Sequence, residues 1–394
     1  MKILIINSGS SSIKFQLMDM PSETLICSGL VERIGHEDAI LNYKTKNVNL
    51  QKVEVIRSHK QGLHKIVDVL LDADQGVIAN TDEIEVVGHR VVHGGNSFSN
   101  TTLITTEVKT KIQEYAALAP LHNPGNLEGI LVAEEFFARA KQIAVFDTAF
   151  HQTIPEKAKK YAIPNTLYED HGIQVYGFHG TSHQYVSEKA ITHLKLQASK
   201  IITIHLGNGC SMAAVVDGRS IDTSLGFTPS NGLIMGTRSG DIDHAIIFHL
   251  VNNLNFTLDE VNTMLTKESG MLGLTGRMDL RDIEANAEKG DRNCILALTM
   301  NAYRVKKYIG AYVAVMNGLD AIVFTAGIGE NSSNIRKLVC EDLNVFGIEL
   351  DKTRNEMKSN ELREINTTSS KVKILVIPTN EELEIAKQAF ELVS

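Results

Sequence analysis

Residues 3–17 read ILIINSGSSSIKFQL, and residues 203–217 read TIHLGNGCSMAAVVD. Aligned without gaps, Gly9 falls on Gly209 and Ser11 on Ser211. Each segment is an apolar run, a turn of small residues and a second strand-like run, the pattern of a β-hairpin. Turns that lack bulky side chains let their backbone N–H groups face an anion. Two such hairpins, one in each half of the chain, point to a duplicated phosphate-binding device. In this alignment Asn7 and Lys14 arm the first copy, and the second has Gly207 and Ala214 in their places. The first is expected to handle metal and phosphates, and the second to offer close backbone contact.

Around these hairpins, 394 residues are too many for one ordinary core, so two domains are expected, over residues 1–150 and 151–382. A net charge of −8 argues against a nucleic-acid partner, whose affinity would need Lys and Arg against phosphates. A small anionic substrate in a local basic pocket remains compatible with it. Cys27, Cys210, Cys294 and Cys340 form no CxxC pair, which fits a reducing cytoplasm better than a disulfide framework. The apolar start is too short for a signal peptide, and no run approaches the ~20 residues that span a bilayer.

Short β-branched runs at residues 85–92, 143–146, 201–206, 321–325 and 373–377 each end in small, polar or acidic residues. Near-3.6 periodicity predicts helices over 106–119, 126–140, 295–317 and 381–392, with Gly310 permitting close packing in the third. Hairpins first and strand–helix alternation later imply an α/β fold with mixed sheets flanked by helices in each half.

Several residues carry chemistry beyond their ordinary structural roles. Ser10 and Ser12 with Lys14 could be a plain polar turn, but the second turn favours phosphate binding. No GxxxxGK[ST] occurs, which excludes a Walker-type site. Gly327, Ile328, Gly329, Glu330 and Asn331 follow a strand and precede a helix near Ser333, where backbone could approach a nucleotide. Arg90 and Arg238 sit among glycines, where a guanidinium fork could meet a carboxylate or phosphate. Asp147 ends an apolar strand, where a carboxylate is costly unless paired or functional. His122 and His179 lie in glycine- and proline-flanked loops and could donate to a transferring phosphoryl group, with His183 on the same helical side as His179. Glu381 at a strand-to-helix junction is either a helix first-turn acid or a Mg²⁺ ligand.

Together the strings NSGSSSIKF from Asn7, VGHRVVHGG from Val87, LHNPGNL from Leu121, VFDTAFHQTIP from Val145, YGFHGTSHQYVS from Tyr176, HLGNGCS from His205, MGTRSGDID from Met235, FTAGIGENS from Phe324 and IPTNEE from Ile377 resemble the acetate kinase family. That family lies in the superfamily of acetate and sugar kinases, heat-shock chaperones and actin. The resemblance runs through essentially the whole chain. It implies duplicated ribonuclease H-like, actin-like ATPase domains with an active site in the interdomain cleft. It also implies a last helix, residues 383–394, that returns to the first domain, and a homodimer through the C-terminal half. The implied reaction is ATP + acetate ⇌ ADP + acetyl phosphate with Mg²⁺, or Mn²⁺ in its place.

Position by position, the resemblance gives Asn7 and Glu381 to the metal and Lys14, Ser10 and Ser12 to the nucleotide phosphates. Arg90 would hold the substrate carboxylate, with Val92, Leu121, His122, Phe178 and Pro229 around it. Asp147, His179 and Arg238 would be catalytic. His205, Leu206, Gly207, Asn208 and Gly209, with Asp279, Leu280, Arg281 and residues 327–331, would form the ATP site. Ser230, Asn231, His244 and Gly125 depart from the usual pattern, and the loop before Asp279 is about one residue short of it. Acetate is already ionised at neutral pH, so Asp147 is expected to orient neighbouring groups rather than remove a proton. Propionate in place of acetate, a covalent phospho-carboxylate on Asp147 or Glu381, and an actin-like ATPase are the competing readings.

Overall fold

Lys2–Ser8 (β1) and Ser12–Asp19 (β2) form the first hairpin, with Ser8 opposite Ile13 and Asn7 opposite Lys14. Lys200–Leu206 (β9) and Cys210–Val216 (β10) form the second, with Leu206 opposite Cys210 and His205 opposite Ser211. A bond from Gly9 N–H to Ser12 O at 2.8 Å closes the first hairpin, and one from Gly207 N–H to Gly209 O at 3.0 Å closes the second. The second turn is thus shorter, and the gapless alignment does not hold past it. By place in the ladder, His205 answers to Asn7 and Ser211 to Lys14, rather than Gly207 and Ala214.

The computed structural model describes residues 1–9, 11–120 and 122–394. It divides the chain into two units, Met1–Gln152 with Asn380–Ser394, and Thr153–Thr379. The first holds Thr24–Glu32 (β3), Ala39–Thr45 (β4), Asn49–Glu54 (β5), Val86–Val91 (β6), Thr102–Leu103 (β7) and Lys141–Phe146 (β8) besides its hairpin. The sheet order is β5-β4-β3-β2-β1-β6-β8-β7, antiparallel up to β1 and parallel through β1, β6 and β8. The second unit adds Arg219–Thr223 (β11), Ala321–Thr325 (β12), Arg363–Glu364 (β13) and Lys373–Val376 (β14), in the order β11-β10-β9-β12-β14-β13. There β9, β12 and β14 run parallel. The five strands β3-β2-β1-β6-β8 and β11-β10-β9-β12-β14 repeat one topology, so each sheet is mixed and helix-flanked.

Burial explains the apolar runs. Strands β1 and β9 are buried almost throughout, as parallel strands covered on both faces must be. Leu4, Ile6, Phe15 and Val87 pack with Leu63, Ile66 and Leu70 of the His59–Leu70 helix, each side chain contributing roughly 1.5–3 kcal/mol on burial. The C-terminal helix Glu381–Val393 packs on β1, β2, β6 and β8 of the first unit. Its cap is Asn380, whose Oδ1 accepts from Leu383 N–H at 3.0 Å and sets Glu381 and Glu382 in the first turn. The long helix is Arg292–Met316, and Gly310 is not needed for close packing: a Cβ there would meet only Phe346, at an ordinary 3.9 Å.

Candidate active site

In the first unit, three strand ends bring charge together. Asp147 follows β8, and its N–H donates to Val91 O at 2.9 Å, which carries the β6–β8 pairing one step further. Arg90 on β6 lies beside β1, because Ile6 pairs with His89. Its Nη2 donates to Asp147 Oδ2 at 2.8 Å and its Nη1 to Asn7 Oδ1 at 3.5 Å. Asp147 is 1% exposed. Burial alone would lower the Arg90 pKa, but Asp147 and Glu381 outweigh it and raise the value above its usual one.

The C-terminal helix adds two carboxylates. Glu382 is buried and accepts from Lys14 Nζ at 2.6 Å. Lys14 therefore meets a carboxylate, although a nucleotide phosphate was expected there. Burial raises the Glu381 carboxyl above its ordinary pKa; Arg90 pulls it back, and Asp147 and Glu382 push it further up. Three carboxylates thus press on two cations.

Two residues that the motif reading passed over hold these strand ends in place. Asn126 Oδ1 accepts from Val92 N–H at 3.0 Å, and its Nδ2 donates to Ser8 O at 2.6 Å. Asn123 Oδ1 accepts from His93 N–H at 3.1 Å. Both lie in the first turns of the Asn123–Phe136 helix, which His122 precedes. Buried asparagines inside the LHNPGNL string were the available signal. Val92 is buried here, Ser12 is half-buried with its carbonyl closing the turn, and Ser10 and Leu121 lie outside the described residues.

In the second unit, His179 takes a left-handed backbone, φ 56°, just before the Gly180–Leu194 helix. Its ring stacks on His205, with centroids 4.3 Å apart. A Cβ on Gly209 would lie 3.2 Å from Arg238 Nη2 and 3.3 Å from His179 Nε2. Glycine is thus what allows the turn to approach both. Arg238 Nη1 also donates to the carbonyl of Pro229, and burial lowers the Arg238 pKa. Phe178 is buried beside His179 in sequence.

A cavity of about 660 Å³ lies in the same unit. Its lining includes Leu206, Gly207, Asn208, Asp279, Leu280, Arg281, Gly327, Ile328 and Asn331. These nine expected nucleotide residues therefore share one wall system. His205, Gly209, Gly329 and Glu330 are not on it. Glu330 instead accepts from Thr379 N–H at 3.1 Å through Oε1. Ile234, Met235, Met271 and Asn301 line the cavity without having been expected. Residues 326–331 form a short helix rather than a glycine turn, entered through Ala326 at φ 64°. A Cβ on Gly327 would meet nothing within 4 Å. Asp279 caps the Leu280–Glu288 helix, and the Arg281 guanidinium holds its carboxyl down at about 2. The larger cavity, about 730 Å³ and lined by Lys337, Cys340, Asp342 and Glu349 among others, contains none of the expected site residues.

The acetokinase family pattern matches residues 2–387. The chain belongs to the acetokinase family. It is therefore an enzyme, a phosphotransferase. It is 64% identical over 393 residues to an acetate kinase of Flavobacterium johnsoniae, covering all of both chains. It is 50% identical to an acetate kinase of Clostridium novyi, over all of this chain and 98% of the other. Among solved structures, Porphyromonas gingivalis acetate kinase superposes with a TM-score of 0.95 at 42% identity and full coverage of both chains. A propionate kinase from Francisella tularensis gives 0.93 at 43% identity over 99% of each. These acetokinase relatives share the actin-like ATPase fold of paired mixed sheets.

Proposed function

We propose that this acetokinase transfers the γ-phosphoryl group of ATP to acetate, reversibly, giving acetyl phosphate and ADP. The observation that carries this is the 64% identity to an acetate kinase over the whole chain. An acetate oxygen attacks the γ-phosphorus in line, and the bond from phosphorus to the bridging oxygen breaks as ADP leaves. Such transfer is mainly positioning and electrostatic stabilisation.

Arg90 binds the acid's carboxylate, and Asp147 holds Arg90. The cavity of the second unit takes the nucleotide. Arg238 and His179 meet the transferring phosphoryl oxygens. Asn7 and Glu381 offer oxygen donors that suit Mg²⁺, an ion that uses few protein ligands and keeps several waters. Glu381, raised by burial and by two neighbouring carboxylates, gains from a cation there. Bound there, Mg²⁺ would neutralise phosphate charge. Val92, Leu121, Phe178 and Pro229 are the side chains assigned to the acid's alkyl group.

Propionate is the second reading, favoured by the propionate kinase among the structural relatives. One methylene is worth only about 1–3 kcal/mol of discrimination in an apolar pocket. Coupled ADP formation with acetate, propionate, butyrate or no acid decides the matter. Acetate should give the highest kcat/KM; turnover without acid would overturn the kinase reading. Two further assignments belong to this proposal. A homodimer would cover the Ala245–Leu254 helix, none of whose residues is buried, with exposed Phe248, Leu258 and Tyr303, and sedimentation would show it. A cytoplasmic location belongs to the same proposal and suits four buried cysteines that form no disulfide.

A further inference from the structure

A chain of polar side chains runs inward from His179. His179 Nδ1 lies 2.8 Å from Ser211 Oγ, which lies 2.7 Å from His183 Nε2. His183 Nδ1 lies 2.7 Å from Thr203 Oγ1, and Thr203 Oγ1 donates to the carbonyl of Ala213 at 3.5 Å. Ser211, His183 and Thr203 are fully buried. Each neighbouring pair along this chain can share one hydrogen bond, because a hydroxyl and an imidazole nitrogen can each donate or accept.

We propose that Ser211 and His183 are positioning residues for His179, engaging Nδ1 and holding the ring so that Nε2 is the nitrogen presented beside Gly209 and Arg238. The inference rests on His179 acting in phosphoryl transfer. Buried polar side chains carry a desolvation cost that an apolar filling of the same space would avoid. What a satisfied network adds is a single ring orientation. His179 needs that help. It sits at a left-handed φ of 56° at a helix entrance, with no capping bond from its own side chain. The His205 ring closes one face of it, and His205 Nδ1 is itself tied to Ser182 Oγ at 2.9 Å. Ser211 also stands in the ladder position that Lys14 holds in the first hairpin, opposite His205 as Lys14 is opposite Asn7. The duplicated hairpin has thus exchanged a charged side chain for a hydroxyl that serves a neighbour.

The test is a cycle in the full-length enzyme: Ser211→Ala, His179→Ala and the double variant, with His183→Gln as an independent break in the chain. For each, kcat and the KM values for ATP and acetate are measured beside the thermal midpoint. Misplacing a group by about 1 Å can cost about 10²-fold, so Ser211→Ala and His183→Gln should each lower kcat by roughly 10–100-fold, with both KM values held within about twofold. In the His179→Ala background, Ser211→Ala should change kcat by less than about twofold. A merely structural role would lower kcat by the same factor in both backgrounds, and that result overturns the proposal. So does a Ser211→Ala or a His183→Gln enzyme with wild-type kcat. If Ser211→Ala does not fold, His183→Gln is paired with His179→Ala under the same criteria. A wild-type enzyme that makes no ADP with acetate would instead defeat the functional reading, before any variant is compared.

Discussion

Arg90 donates to Asp147 Oδ2 across 2.8 Å, from the strand beside the one that Asp147 leaves, and the Nε of the same guanidinium is buried with no hydrogen-bond partner among the described residues. Asp147 is thereby the counter-charge held against Arg90. Asp147→Ala strands a partly buried guanidinium. Loss of one partner of a fully buried pair costs about 3–5 kcal/mol, and with Arg90 still touching solvent about 1–3 kcal/mol is expected. Acetate KM should rise in the same variant. Urea unfolding and initial rates check both; unchanged acetate KM would contradict the role.

Arg90 and Arg238 should separate in kinetics. On the proposed assignments, Arg90→Ala would remove the fork that binds the acid's carboxylate and should raise acetate KM clearly. Arg238→Ala would remove a donor to charge that develops during transfer, where losses of about 10²–10³ in kcat are typical. Steady-state rates against acetate and ATP distinguish them, and the reverse pattern would refute both assignments.

Lys14 is anchored by a buried carboxylate, Glu382. Lys14→Ala should therefore cost stability as well as activity, because an ionised Glu382 would be left unpaired. About 1–2 kcal/mol is expected, since the ammonium end of the pair is half-exposed. Adding Glu382→Gln should recover most of that stability and none of the activity. Thermal melts of the single and double variants supply the comparison.

Gly327 borders the cavity with open space where its Cβ would go. Gly327→Val should leave the melting temperature within a few degrees and raise ATP KM about tenfold or more, with acetate KM little changed. Equal increases in both KM values would place the nucleotide elsewhere.

Acid should weaken the fold through His89 and His93. Burial pushes both imidazoles down, to about 4. The unfolded chain takes up protons near 6.5. Between those values the unfolded state binds more protons than the native one, so stability is full above 6.5 and falls as pH drops toward 4. Each histidine removes about 1.4 kcal/mol per pH unit in that window. His89 Nε2–H donates to Gln142 Oε1 at 2.8 Å, so His89→Gln lowers stability at neutral pH but should flatten the slope between pH 7 and 5. Urea midpoints at the two values measure it, and an unchanged slope would show that His89 does not titrate in this way.

Local pattern made much of the architecture readable. The strands β12 and β9 and the helices Arg292–Met316 and Glu381–Val393 fall on the predicted runs, because period and burial coincide over their length. Both hairpins could be read from an apolar run, a small turn and a second run. The family strings also grouped Asn208, Asp279 and Gly327, which share the lining of one cavity. What the strings did not contain was register. A shorter second turn moves every later pairing, so that Ser211, not Ala214, comes opposite the strand position matching Asn7. Turn length is decided by how two strands close on each other and on β12, not by the turn's own composition.

The partners of the charges were equally beyond the sequence. Lys14 with Glu382, and His179 with Ser211, join segments separated in the chain. Ile234, Met271 and Asn301 become cavity walls only when separate loops and helices converge. The sequence alone determined that two hairpins and an acetokinase set of side chains exist here. Tertiary structure decided what each charge faces, because pairing and burial depend on distance in space, which periodicity along a chain does not encode.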